Sequence, residues 1–429
     1  MFVVRSGTLF WGNIKMLDYQ AVLLNFFYYL QRSIIFSLFL ICFSPNAARA
    51  SDTPVSNLIQ SLMSCHPELR ASALRVELAG VALQQVDAGR LPSFSVTADG
   101  FTQNGTQTAQ LQLNATVPIA TFGVLPAKKE LEEARLELQR IVHAKEVRSH
   151  AERLISLTLS QFYLDEKILL VEDVLASQSE LGEQMQRQLA KGNSSKADLL
   201  QVNSSISQTN SKLNSLLMES YRNEQEIQTL ECLGYDSKQV ITEIQPFVQS
   251  YVGSTIYSFE FLEAERKAVV IKNELNLERL SNRPTIQLEG SAALTNNGTT
   301  SPRFGLSSKY EYQNLGRSSE LSLQEKELQL QEAALNVEKV KQEQEQRFLI
   351  LEKELSFLAT QAVPQRQASI LNLKEERLSS RRLFDAGRIR MNELLSAYDE
   401  LSNAQINLID LRKQLDLLYV EKFFLLGGG

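Results

Sequence analysis

The sequence predicts a mainly α-helical chain with a smaller antiparallel β part, and three observations predict it. Two pairs of short segments alternate apolar and polar residues with period two. The helical stretches between them are too long to fold back into a globule. Strands and helices also occur twice in the same order, which argues for an internal duplication. With 429 residues, 43% hydrophobic and 22% charged, the chain has the composition of a folded protein. A formal charge of -6 gives no basic footprint for nucleic acid.

At the N-terminus Arg32 precedes the apolar run SIIFSLFLICF, which ends in SPNAARA, so Ala48, Arg49 and Ala50 form a small-x-small cleavage pattern. This reads as a secretory signal, with the mature chain beginning at Ser51. Met16 offers an alternative start that shortens an unusually long leader. Lipidation at Cys42 is disfavoured, because Ile41 puts a bulky residue where that processing wants a small one. No later segment approaches the roughly 18 apolar residues of a membrane helix, so the exported chain is either soluble or crosses a membrane by strands.

The first strand pair is FSVTADGF (Phe94 to Phe101) and AQLQLNATV (Ala109 to Val117). Leu111, Leu113, Ala115 and Val117 fall on one face, and Gln110, Gln112, Asn114 and Thr116 on the other. Asn104 and Gly105 between the runs supply a hairpin turn. The second pair repeats this: Ile286, Leu288, Gly290 and Ala292 oppose Thr285, Gln287, Glu289 and Ser291, and the chain turns through NNGTTSP into RFGLSSKYEY. There Phe304, Leu306, Tyr310 and Tyr312 oppose Ser307, Lys309 and Glu311. Such alternation suits half-buried hairpins on a soluble core. It also suits an apolar face in lipid, for which about 9 to 11 residues is the right length. Four strands cannot close a membrane barrel, the smallest having about eight, so in that case several chains share one barrel.

The long helices follow each pair. From about Lys128 to Arg187 there is no proline, and Leu131, Ala134, Leu138 and Ile141 recur three and four apart. The next helix keeps one heptad phase through Leu199, Val202, Ile206, Thr209, Leu213, Leu216, Ser220, Asn223, Ile227 and Leu230. The last does so from Leu394 through Ala397, Leu401, Ala404, Leu408, Leu411 and Leu415 to Leu418. In the third, Leu321, Leu328 and Leu335 recur every seven residues, and so do Leu323, Leu330 and Val337, about 200° round the helix. A helix with seams on opposite sides has neighbours on both sides, as in the wall of a tube or a sheet of helices in a scaffold.

Landmarks keep a near-constant offset between the halves: Pro92 and Pro284 (284 − 92 = 192), Gly123 and Gly316 (316 − 123 = 193), Gly192 and Gly387 (387 − 192 = 195). LAKGNSSKADLLQV from Leu189 lies against FDAGRIRMNELLSA from Phe384, so glycine, acidic residue and Leu-Leu coincide. Neither glycine follows a buried strand or precedes G-K-[ST], which excludes a nucleotide loop. Each joins two long antiparallel helices and reads as a left-handed cap.

Other chemistry is thin. His143 and His150 sit seven apart on one helix with no third ligand spaced to join them, so no metal site is expected. No catalytic constellation stands out, and neither enzymatic activity nor a cofactor is expected. With Cys42 in the leader, Cys65 and Cys232 are left able to pair in an oxidising compartment.

The chain resembles the TolC-like outer-membrane efflux protein family over essentially its whole mature length. The matching points are HPELRAS from His66, RLPSFSVTADG from Arg90, NRPTIQLEGSA from Asn282, PIATFG before the first long helix, and the G-x5-[DE]-L-L turns at Gly192 and Gly387. The resemblance implies a homotrimer with a twelve-stranded outer-membrane β-barrel, four strands per chain, continued by a periplasmic α-barrel tunnel. It implies a passive exit duct in efflux or type I secretion, reached from an inner-membrane transporter through a periplasmic adaptor protein.

On that basis the chain divides into a signal peptide (1–50), an N-terminal periplasmic helical segment (51–91), a first barrel hairpin (92–119) and a first helical hairpin (124–233). An equatorial segment and helix (234–283), a second barrel hairpin (284–313) and a second helical hairpin (317–426) follow. In the family, acidic residues shortly after the second tip glycine line the entrance constriction. Glu393, six beyond Gly387, falls on such a position, while the second acidic position is Ser396 here. Asp198 is the equivalent after Gly192, and Arg388 and Arg390 supply nearby cations. These make a candidate periplasmic gate, with Gly192 and Gly387 at the tip where the adaptor docks. The competing reading is that the charges are solvated first-turn residues favoured by the helix dipole. The rival for the whole chain is a secreted soluble coiled-coil scaffold.

Overall fold

A computed structural model describes residues 54–427 except 104–105, 193, 231–239, 252–257, 282, 284, 296–299 and 310–316. The chain divides into two units, Met1–Ser56 and Asn57–Gly429. The expected leader, with Met16 and Cys42, lies outside the described residues, as do Asn104, Gly105, Pro284, Tyr310, Tyr312, Gly316 and Cys232.

Helix α1 (Pro54–Cys65) crosses the division. The second unit continues with α2 (Pro67–Ala88), strands β1 (Ser93–Gln103) and β2 (Thr106–Ala120), and the long helices α3 (Val124–Ala190) and α4 (Lys196–Leu230). After a π turn (Val240–Ile244) and α5 (Gln245–Ser250) come α6 (Phe259–Ser281), β3 (Thr285–Thr295) and β4 (Thr300–Lys309). The chain ends with α7 (Arg317–Phe357), a π turn (Leu358–Ala362), α8 (Val363–Asp385) and α9 (Met391–Leu425).

The duplication is therefore visible element by element. A helix of 22 (α2) or 23 residues (α6) leads into a hairpin, then a long helix, then a glycine turn, then a helix of 35 residues (α4, α9). The 67 residues of α3 make a rod of roughly 100 Å. Its counterpart runs from Arg317 to Asp385 and is two residues longer (385 − 317 = 68; 190 − 124 = 66). That is the amount by which the offset between the halves grows from 193 to 195. A π turn interrupts this counterpart just before Pro364. Proline lacks an N–H and its ring collides with the preceding turn, and the wider π turn relieves both problems.

The four strands form one antiparallel sheet in the order β1-β2-β3-β4. Cross-strand register puts the apolar set on one face: Phe94, Ala115, Gly290 and Phe304 lie in one row, Val96, Leu113 and Ala292 in the next, and Val117, Leu288 and Leu306 in a third. Ser95, Asn114, Ser291 and Arg303 make a row on the other face. The apolar face is open in the single chain, with Phe304 85% exposed. Gly290 is where the row needs no side chain, since an added Cβ would meet the Phe304 ring at 3.2 Å.

The seam between α3 and α4 explains the polar interruptions in its heptads. Thr209 donates to Gln178 Oε1 (2.8 Å), and buried Gln178 donates to Ser205 Oγ (3.0 Å). Further along, Gln161 donates to Ser220 Oγ (2.7 Å), and Asn223 donates to Gln161 Oε1 (2.9 Å). Polar groups inside a coiled-coil seam fix its register, because any slip leaves them unpaired. In α9 the heptad phase holds at Leu394, Ala397, Leu401 and Ala404, but burial then moves to Ile409, Asp416 and Val420. An α-helix drifts about 20° per heptad, so a straight helix changes its buried face over this length.

Helix α6 is tied to its neighbours by ion pairs. Glu274 meets Arg135 of α3 (2.9 Å) and Lys326 of α7 (2.7 Å), and Glu263 meets Lys145 of α3 (2.9 Å) and Lys267 (2.5 Å). Burial pushes both carboxyls upward, but the hydrogen bonds from the lysines and Arg135 outweigh it and hold them below their ordinary value of 4.5. A depressed folded-state value means the stabilisation is complete above about pH 4.5 and is lost as pH falls through the lower folded-state values. Thermal denaturation between about pH 6 and about pH 3 should show a falling midpoint, and the E263Q/E274Q variant should flatten that part of the curve.

Candidate functional site

The two glycine turns end the helical hairpins and owe their form to backbone geometry. Gly387 has φ 69° and Gly192 φ 77°, both in the left-handed region. Around Gly387 the bonds run from Gly387 N to Phe384 O and from Arg388 N to Leu383 O, each 2.8 Å, which is a Schellman motif. Gly192 N donates to Leu189 O at 2.9 Å in the matching place. An added Cβ would meet nothing within 4 Å at either glycine, so φ alone selects the residue.

Beneath the turns, Leu181 and Met185 of α3, Val202 of α4, and Met391, Leu394 and Leu395 of α9 form one buried cluster. The Leu-Leu pair shared by both turns thus serves in α9 to lock the two hairpins together. Arg381 of α8 donates to Gln184 of α3 across the same junction, and the Arg377 guanidinium lies 5.3 Å from the centre of the Tyr398 ring.

The charged residues after each turn differ in their surroundings. Asp198 is in a capping box: Ser195 N donates to its Oδ2 (3.3 Å), and its own N–H donates to Ser195 Oγ (3.1 Å). Glu393 also lies in a helical first turn, where its backbone N–H donates to Arg390 O (3.1 Å). Its side chain is exposed, as are Arg388 and Arg390. Among the described residues, none of these three has an ion-pair partner within the chain. Ser396 is exposed and donates to Glu400 Oε1 (3.3 Å).

Other polar clusters lie elsewhere on the long helices. His143 is hydrogen-bonded to Ser72 Oγ (2.6 Å); Ser72 is buried and also donates to Leu69 O, so this contact is a tie between α2 and α3. His150 does not join His143 but meets His66 and Glu68, a grouping that no sequence spacing marks. Cys65 is disulfide-bonded, while Cys232, with which the sequence left it able to pair, lies outside the described residues. A cavity of about 130 Å³ between α3, α6, α7 and α9 is lined by Arg148, Glu152, Gln344, Arg347 and Glu421. Burial pushes the Glu152 carboxyl upward against the pull of Arg148. The walls also carry the Arg347–Glu421 ion pair (2.7 Å), an arrangement that binds helices together.

Residues 58–230 match a family model described as outer membrane efflux protein. No sequence among curated proteins matches. Among solved structures the chain is similar to CusC, from a study of its folding and transmembrane channel formation, with 18% identity and TM-score 0.73 over 87% of this chain and 92% of that one. It is also similar to the outer membrane protein VceC of Vibrio cholerae, with 14% identity and TM-score 0.72 over 87% of this chain and 96% of that one. For the CmeC outer membrane channel of Campylobacter jejuni the values are 13% and 0.70, over 87% and 86%. At these identities the likeness establishes the fold, both strand pairs and both helical hairpins included. The first repeat thus matches the outer membrane efflux protein family model, and both repeats share the fold of these solved outer-membrane channels.

Proposed function

We propose that the protein is the outer-membrane exit duct of a tripartite efflux pump or type I secretion system. Three copies share one twelve-stranded barrel, the helical hairpins continue it into the periplasm, and an inner-membrane transporter feeds it through a periplasmic adaptor protein. The observation that carries this reading is the sheet, with one apolar, exposed face and with β1 and β4 as edges. Lipid suits such a face but not unpaired strand edges, so β4 of one copy pairs with β1 of the next. Two copies would reach the minimum of about eight strands, and the family resemblance implies three. The exposed leucines of α7 support the same assembly from the helical side.

At the periplasmic tip, Glu393, with Asp198 and Ser396, lines the entrance, and Arg388 and Arg390 tie neighbouring hairpins shut. Three copies of Glu393 about an axis would repel one another and attract cations. Asp198 is drawn into its capping box, so Glu393 carries the larger share. Among the described residues the exposed arginines have no partner within their own chain, which suits them to a neighbour. The turns at Gly192 and Gly387 are the adaptor's docking points. Replacing Arg388 and Arg390 with glutamine should raise single-channel conductance in planar bilayers. Unchanged conductance and opening would remove the lock.

A further inference from the structure

The corner between α1 and α2 sets His66 against the middle of α3, opposite His150. His66 is 8% exposed and begins α2 without a side-chain cap. Its ring centre lies 4.5 Å from that of His150, with the planes at 48°. His150 Nε2 is 3.2 Å from Glu68 Oε2. The Nδ1 atoms of both histidines are buried without a hydrogen-bond partner. Buried polar atoms are nearly always paired, and a cation held between His66 Nδ1, His150 Nε2 and Glu68 would satisfy the His66 orphan.

We propose that His66, His150 and Glu68 bind a divalent cation of the zinc type, fastening the α1–α2 corner to α3. One ligand atom from each residue lies within 4.8 Å of the other two. Tetrahedral zinc takes imidazole nitrogen and carboxylate oxygen at about 2.0 to 2.2 Å, which brings ligand atoms to roughly 3.4 Å of one another. The His150–Glu68 edge already has that length. Glu68, whose side chain is 74% exposed, has room to adjust to the cation. Two nitrogens and one oxygen suit zinc and its neighbours in the first transition row better than calcium or magnesium. Adjacent Cys65 is disulfide-bonded, so the cation would fasten a corner that already carries a covalent link.

The test uses the full chain in detergent, stripped with a chelator and titrated with zinc sulfate by calorimetry, with thermal unfolding followed in parallel. The wild type should bind one zinc per chain saturably and unfold at a higher temperature when zinc is present. E68Q and H150Q should each weaken binding by more than about tenfold and reduce the zinc-dependent shift. Glu68 is exposed, so E68Q tests the ligand without disturbing the core. The proposal is overturned if the wild type shows no saturable binding, or if the E68Q/H150Q double variant binds zinc as the wild type does.

Discussion

Replacing Leu328 and Leu335 with aspartate should leave folded monomers that carry no current in planar bilayers. These leucines lie with Leu321 on one seam of α7 and are 58%, 69% and 59% exposed in the single chain. The opposite seam, Leu323, Leu330 and Val337, is half-buried, and α7 packs along α6. An exposed leucine contributes little to its own chain, so the substitution should spare the monomer's helical circular dichroism. In the assembly each leucine buried at an interface contributes about 1.5 to 3 kcal/mol, and an aspartate there adds the cost of an unpaired buried charge. Both losses recur at every interface of a closed ring. The native mass in detergent separates the outcomes: a wild-type oligomer would mean that this seam meets no neighbour.

Asp416 is the residue whose loss should most damage the chain itself. It is 5% exposed and accepts hydrogen bonds from Tyr163 Oη of α3, Gln245 Nε2 (2.6 Å) and Gln249 Nε2 (2.7 Å) of α5. Burial, then the Asp416 bond, pushes the Tyr163 phenol upward, so it stays a donor at any physiological pH. Asp416→Ala takes the acceptor from three donors, Tyr163 buried, Gln245 half-buried and Gln249 exposed, a loss of about 2 to 3 kcal/mol. Tyr163→Phe removes one donor and leaves two, and should cost about 1 kcal/mol. Thermal unfolding gives the ranking, and limited proteolysis should find α5 opened in Asp416→Ala and closed in Tyr163→Phe.

What the sequence made legible follows from the range over which each feature is specified. Strand alternation is local, and Leu111, Leu113, Leu288 and Leu306 could each be assigned to the apolar face of its own strand before any pairing was known. Helix lengths and glycine turns were equally local. The region around α5 was not, because it is held by side-chain bonds to Asp416, far away in sequence, and has no periodicity of its own. Thr209, Ser220 and Asn223 looked like weak points in a heptad, and only their partners Gln178 and Gln161 show why polar residues belong there. The histidine cluster was hidden for the same reason: His66 and Glu68 come from the α1–α2 corner and His150 from the middle of α3. At the tip the sequence aligned Asp198 with Glu393, yet only Asp198 has the serine three residues before it that makes a capping box.

The central claim is that three copies close one barrel in the outer membrane. Membrane fractionation, followed by electrophoresis of heated and unheated samples, tests it most directly. The account predicts protein in the outer-membrane fraction, running at three times the mature chain mass when unheated and at one chain mass after heating. A soluble monomer in the periplasmic fraction, unchanged by heating, would contradict it.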